Sequence, residues 1–225
     1  MSNLIKIYGE RNTNTRYIET LIQLNLDVVQ LKGVVPAFIK TTQKILPGKN
    51  WLRDLYFSLS YENNLGWKHT RVKSSRELKT HDRFQQGICF VSVTKNPYSW
   101  LLSLHRKPYN QQYGKNKPDF ETFLQTAWKT DSRDNCEKLL ENPIALWNIK
   151  NRSYLQLTDL NGLNITTERT VQDPESVIDM LSKHFSIKKR GNKFVNYEKS
   201  TKDASKDFSY YQDYYVNERW RRRTR

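Results

Sequence analysis

The sequence predicts an α/β fold, with a mostly parallel central sheet flanked by helices on both faces. Short β-prone runs alternate with apolar residues at helical spacing along the chain, the pattern of successive βαβ units. The strongest strand, GICFVSVT at residues 87–94, is apolar almost without a break, as a strand covered on both faces must be. At 225 residues the chain is long enough for one sizeable core, so residues 1–225 read as one domain. A basic C-terminal segment occupies about residues 188–225.

Leu4 to Tyr8 forms the first β-prone run, and Gly9 opens a polar loop, GERNTNT. From Arg16 the spacing turns helical, with Tyr17, Ile18, Leu21, Ile22 and Leu24. Asp27 to Leu31 reads as a second strand. Residues 32–50 look irregular and basic, ending at the turn signal Pro47-Gly48. Trp51 to Leu59 reads as a helix, and Asn63-Asn64 breaks the chain before LGWKHT, an extended segment ending on Lys68 and His69. Lys95-Asn96-Pro97 closes the GICFVSVT strand. Pro97 suits the first position of a helix bearing Trp100, Leu101, Leu102 and Leu104.

Helices follow at about Phe120 to Trp128 and Ile144 to Leu157, and Asn164 to Arg169 returns to the sheet. Asp173-Pro174 caps a helix whose Val177, Ile178, Leu181 and Phe185 share one face. From Lys188 the chain is basic and turn-rich, ending in a Tyr-rich stretch and ERWRRRTR, which reads as a solvated tail. Internal repeats and heptads are absent from the sequence.

The hydrophobic fraction is only 36%, yet six Trp, thirteen Tyr and nine Phe supply the apolar area of a globular chain. A formal charge of +15 calls for a polyanionic partner or ligand: a nucleic acid, an anionic membrane surface, an acidic glycan or a nucleotide. The two cysteines make no disulfide framework, and Cys89 lies inside the strongest strand. Neither cysteine has metal-ligand spacing, and the histidines at 69, 81, 105 and 184 are scattered, which argues against a metal enzyme. The N-terminus has no apolar leader, and no uncharged stretch approaches the ~20 residues of a membrane span. A soluble, cytoplasmic chain without a membrane partner is the expectation.

A loop between the first strand and first helix of a parallel sheet is a natural anion site, because backbone N–H groups converge at the helix N-terminus. In the nucleotide-triphosphate loop G-x-x-x-x-G-K-[ST], a lysine handles the γ-phosphate. Here Gly9 matches the first glycine, Asn14 stands at the second, Thr15 replaces the lysine and Arg16 the magnesium-binding hydroxyl. Asn tolerates the left-handed backbone that glycine supplies. The loop can therefore wrap a phosphate but is badly equipped for ATP chemistry, and it offers Arg11 and Arg16 instead. By itself it is equally an ordinary turn with solvated arginines.

A second constellation follows the strongest strand. Lys95 stands at its C-terminal end and Ser103 eight positions later on the next helix. Ligands of open α/β sheets bind at strand C-termini, so this cation and hydroxyl can bracket one phosphate.

Strand, basic-Asn-Pro and a serine eight residues after the base resemble the 3′-phosphate motif of sulfotransferases that use 3′-phosphoadenosine-5′-phosphosulfate (PAPS). GERNTNTR resembles their 5′-phosphosulfate loop, and LGWKH is similar to their short strand carrying a Lys and a His near the acceptor. ITTERTVQDPESVIDMLSKHF is similar to their strand, acidic turn and Asp-Pro-Glu helix. The resemblance spans most of residues 4–187, with Lys95 in place of the usual Arg and Asn14 in place of the loop Gly. A lysine still pairs with phosphate but lacks the bidentate fork.

The resemblance implies a P-loop-NTPase-like sulfotransferase fold and a site needing no metal, because a sulfuryl group carries less charge than a phosphoryl group. Gly9 and the N–H groups of about residues 12–16 (Asn12, Thr13, Asn14, Thr15 and Arg16), with the Thr13 and Thr15 hydroxyls, would hold the 5′-phosphosulfate. Arg11 would neutralise the bridging oxygen. Lys95 and Ser103 would bind the 3′-phosphate that the product, adenosine 3′,5′-bisphosphate, retains. His69 is the candidate general base, and Lys68 would share stabilisation of the sulfuryl group, although strand alternation points neighbouring residues to opposite faces. Arg190 and Gly191, in KKRGNK, match a basic-Gly loop that covers the 3′-phosphate in many members. The acceptor pocket would be built from residues 32–62 and 105–120, whose Tyr, Lys and Arg content suits a small molecule or a glycan as acceptor and equally a phenol or a peptide tyrosine.

Three rival readings remain open: a basic nucleic-acid-binding protein, which the clustering of cations at strand ends argues against; a P-loop kinase, which lacks its lysine; and a catalytically inactive sulfotransferase relative.

Overall fold

The computed structural model describes residues 3–45, 50–109, 111, 113, 116–199 and 206–223; the expected Pro47-Gly48 turn and Arg225 lie outside them. In chain order the first half holds β1 (Leu4–Gly9), α1 (Thr15–Asn25), β2 (Val29–Leu31), α2 (Ala37–Ile45), α3 (Trp51–Leu59), α4 (Tyr61–Asn64), α5 (Ser75–Lys79) and α6 (Asp82–Gln85). The second half holds β3 (Cys89–Thr94), α7 (Pro97–Arg106), α8 (Phe120–Gln125), β4 (Trp128–Lys129), β5 (Leu139–Leu140) and α9 (Pro143–Leu155). It ends with β6 (Gly162–Thr166), α10 (Thr167–Gln172), α11 (Pro174–Phe185) and α12 (Phe208–Val216).

The chain is α/β, with a four-stranded sheet of order β2-β1-β3-β6 in which every pairing is parallel. Strand alternation divides the core between its faces. Ile5, Ile7, Cys89, Val91 and Val93 pack on one side against Ile18, Leu21 and Ile22 of α1 and Val177, Ile178 and Leu181 of α11. Tyr8 and Phe90 face the other side, against Leu65, Tyr154 and Leu157. The short antiparallel pair β4–β5 lies apart from this sheet.

The strand order places a switch point at β1 and β3. From β1 the chain crosses to β2 on one side, whereas from β3 it crosses to β6 on the other. A crevice therefore opens between the C-terminal ends of β1 and β3, where ligands of open parallel sheets bind. The loop at residues 10–14 and Lys95 flank this crevice.

Four expectations need correction. Residues 37–45, read as irregular, form α2, whose buried Ile39 packs with Val35 and Phe57. The LGWKHT segment is a turn, because Leu65 and Gly66 adopt φ of 58° and 80°, which no strand accommodates. Thr167 to Arg169 belong to α10, since the Thr166 hydroxyl accepts from the Arg169 N–H and starts a helix there. Helix α8 stops at Gln125, and Trp128 pairs in β4. The Asp173 cap holds as read, with its carboxylate accepting from Ser176 N–H.

Candidate functional site

The loop after β1 is shaped by its backbone. A Cβ on Gly9 would stand 2.7–2.8 Å from the Val93 carbonyl, Thr13 Oγ1 and Thr15 Cγ2, so only glycine lets the loop turn this tightly against β3. Asn12 and Asn14 take φ of 70° and 57°, on either side of Thr13, which does not. Such alternation curves the backbone into the shape of an anion nest, although the Thr13 N–H is taken by the Glu10 carbonyl at 3.2 Å. Asn14 is the residue before α1 and caps it with no side-chain bond. The first helical bond runs from Tyr17 N–H to Asn14 O, at 2.9 Å. The N–H groups of Thr15 and Arg16 thus belong to the open helix end, and the exposed Arg16 adds its charge there.

Both threonines are buried. The Thr13 hydroxyl donates to Glu10 O at 2.6 Å and so braces the loop from within. Two residues remote in sequence also hold it. The Thr167 hydroxyl lies 2.9 Å from Thr13 O and 3.0 Å from Thr94 O, bridging the loop to the end of β3. Trp100, fully buried on α7, donates its indole N–H to Arg11 O at 2.8 Å.

Across the crevice Lys95 Nζ donates to Ser103 Oγ at 2.9 Å, and that hydroxyl donates on to Ser99 O. The Asn96 side chain accepts from Tyr98 and Ser99 N–H, and Pro97 starts the helix, which fixes α7 relative to β3. The cation and hydroxyl eight residues apart are therefore brought together, as their spacing suggests.

Both constellations border one cavity of about 210 Å³. Asn12, Asn14, Lys95 and Ser103 all line it. Tyr17, Tyr197, Phe208 and the α12 tyrosines Tyr210, Tyr211, Tyr214 and Tyr215 form an aromatic wall. Among the described residues, Lys95, Arg106, Lys107, Lys199 and Lys206 bring cations to the lining, and Glu198 brings a carboxylate. The Lys95 ammonium lies 5.4 Å from the Tyr215 ring centre.

The turn carrying Lys68 and His69 clasps Gly9 from both sides. Gly9 N–H donates to Lys68 O at 2.9 Å, and Gly9 O accepts from His69 Nδ1 at 2.5 Å. A carbonyl only accepts, so His69 carries its proton on Nδ1 and its lone pair on Nε2. Burial, with Lys68 beside it, pushes the imidazole well below its ordinary range and keeps it neutral. Its ring meets Trp67 edge-on at 5.0 Å.

Lys68 points elsewhere. Its Nζ pairs with Glu19 of α1 at 2.6 Å, and burial lowers the ammonium despite that carboxylate. The two neighbours do diverge, through a turn rather than through strand alternation. Beneath the turn Lys6 Nζ donates to Asn64 O and Gly66 O at 2.5 and 2.6 Å, and burial lowers it to about 7.

Arg11 is buried, with its guanidinium between the rings of Trp67 and Tyr109, 4.8 and 4.9 Å from their centres. Asp131 faces it at 3.4 Å and also pairs with Arg133, which reaches Asp54 at 2.8 Å. Lys150, fully buried, joins Glu10 at 2.6 Å, Asp134 and the His69 carbonyl at 2.7 Å. Burial alone would lower Lys150, but Asp134 and Glu10 outweigh it and hold the ammonium up.

Arg190 and Gly191 do not reach this site. Arg190 N–H donates to Asn25 O and its Nε to Leu26 O, both at 2.8 Å, at the C-terminal end of α1. That end is about 16 Å from the phosphate loop along an 11-residue helix. The basic run instead caps the carbonyl end of α1, where positive charge is favoured. The wall tyrosines escape the sequence reading because α12 shows little segregation of apolar and polar faces. Lys150 escapes it because a lysine within a helix pattern reads as solvated.

Among the described residues no cluster of His, Cys, Asp and Glu has the arrangement of a metal site, and no helix is long and apolar enough to cross a membrane. Neither a protein-family model nor a curated protein sequence matches this chain.

Proposed function

We propose that the chain is a PAPS-dependent sulfotransferase of P-loop-like fold, transferring a sulfuryl group to a hydroxyl or amine of a small-molecule or glycan acceptor. One observation carries the reading. The loop after β1 and the Lys95–Ser103 pair after β3 border the same cavity, whose lining also carries six tyrosines and Phe208. Two anion subsites beside an aromatic wall suit a nucleoside bearing phosphates at both its 5′ and 3′ ends.

In this reading PAPS supplies the activated sulfuryl group, and the protein binds, orients and moves a proton. The N–H groups of Asn12, Asn14, Thr15 and Arg16 hold the 5′-phosphosulfate, while that of Thr13 braces the loop on Glu10 O, and Arg11 stands beside them as the fixed charge. Lys95 and Ser103 hold the 3′-phosphate, and the α12 tyrosines offer the purine its stacking surface. His69 Nε2 accepts the acceptor proton; the tautomer set by Gly9 O makes that nitrogen the basic one.

Calorimetry on the full chain tests the binding half. Adenosine 3′,5′-bisphosphate is expected to bind more tightly than ATP, without magnesium, and the absence of that preference defeats the reading.

The Lys68–Glu19 ion pair favours a second reading, a nucleotide-binding relative that transfers nothing, because it commits a cation that transfer would use. Release of labelled sulfate from PAPS to acceptors or water separates the two. Under the first reading His69→Ala spares nucleotide binding yet abolishes transfer.

A further inference from the structure

Just after α7, the Tyr109 side chain meets the loop at residues 10–14. Tyr109 has φ of 56°, a left-handed backbone that bulky residues rarely adopt. Such a conformation persists where the surroundings impose it. Here the surroundings are the phosphate loop itself: the Tyr109 ring lies 4.9 Å from the Arg11 guanidinium, and its hydroxyl donates to Asn12 Oδ1 at 2.8 Å. Burial pushes that hydroxyl up to about 12, so it remains a donor at neutral pH. The Trp67 ring also lies 4.8 Å from the Arg11 guanidinium, and the Arg133 guanidinium lies 4.9 Å from that same ring. Asn12 is one of the two left-handed residues that shape the anion nest. Tyr109 is therefore bonded to both loop groups that set where a 5′-phosphate sits, the charge and the backbone curve. The Lys107 ammonium, which lines the cavity, also lies 5.9 Å from the ring centre, whereas these contacts of Tyr109 do not include Lys95 or Ser103.

Resting on the reading above, we propose that Tyr109 is a positioning residue that latches the phosphate loop, setting affinity for the 5′-phosphate through Arg11 and Asn12 while leaving the 3′-phosphate subsite unchanged. The latch joins the 105–120 segment, the expected acceptor side, to the cofactor loop.

The test is calorimetry on the full chain with two probes, adenosine 3′,5′-bisphosphate and adenosine 3′-monophosphate. Tyr109→Ala is expected to weaken the bisphosphate about tenfold or more and to leave the monophosphate within about twofold. Tyr109→Phe keeps the ring on Arg11 and loses only the bond to Asn12, an expected loss of about fivefold for the bisphosphate. Unchanged bisphosphate affinity in both variants overturns the latch and leaves the PAPS reading standing. Equal losses for both probes also overturn it, since Tyr109 would then support the fold as a whole. A wild-type chain that binds neither probe overturns the nucleotide reading, and the latch with it.

Discussion

Among the described residues the cavity lining gathers Lys95, Arg106, Lys107, Lys199 and Lys206 beside the carboxylate of Glu198, whereas near His69 the buried Lys68, Arg11, Arg133 and Lys150 each face a carboxylate of the protein. Lys68 pairs with Glu19, Arg11 and Arg133 with Asp131, Arg133 with Asp54, and Lys150 with Glu10 and Asp134. The contrast separates two uses of charge. A positively charged, aromatic cavity lowers the free energy of a bound anion. Matched, buried pairs hold backbone in place, here the turn that clasps Gly9. The first region concentrates positive charge at a cavity, and the second uses charge to fix a turn.

Breaking the matched side has the largest expected effect. Lys150→Met leaves Glu10 and Asp134 as buried carboxylates without their ammonium, which costs about 3–5 kcal/mol of stability in urea unfolding. A loss under about 1 kcal/mol would mean that the network is solvated and does not hold the turn.

The cavity side responds in the opposite sense. Lys95→Ala is expected to weaken adenosine 3′,5′-bisphosphate by about tenfold or more, and Ser103→Ala by about fivefold, each with little change in unfolding free energy. Should either variant lose stability rather than affinity, Lys95 and Ser103 would belong with the structural pairs, and the contrast would dissolve.

The smallest effect concerns His69. Burial and the Lys68 charge hold its folded-state pKa well below the ordinary 6.5, so between those values the unfolded chain binds the proton and the folded chain does not. The stabilisation from a neutral ring is present above pH 6.5 and is lost as pH falls from 6.5 toward the folded value. Urea unfolding at pH 7, 6 and 5 is expected to show wild type losing stability on acidification more steeply than His69→Gln. Parallel curves would place His69 in solvent, outside the buried turn.

What was legible in the sequence was local. GICFVSVT sits at the centre of the sheet because an apolar run can be satisfied only where both faces are covered. Asn14 stands left-handed where a glycine would, and Lys95 and Ser103 meet because strand end and helix pitch fix their separation. Illegible features depend on distant partners. LGWKHT has strand-like composition, yet Lys6 and Tyr8 of β1 bond the carbonyls of residues 64–66 and hold that stretch as a turn. KKRGNK has the composition of a phosphate loop, but it follows a helix that returns it to the far end of α1.

By itself the sequence determined the α/β class, the tight glycine loop after the first strand and the Lys95–Ser103 pair, since each follows from spacing within some ten residues. Tertiary structure alone decided that the loop and the pair share one cavity, that the α12 tyrosines wall it, and that Lys68 turns to Glu19 while His69 turns to Gly9. The physical reason is the strand order. Placing β1 beside β3 joins residues more than eighty positions apart in a single crevice, and no local pattern encodes which strands become neighbours.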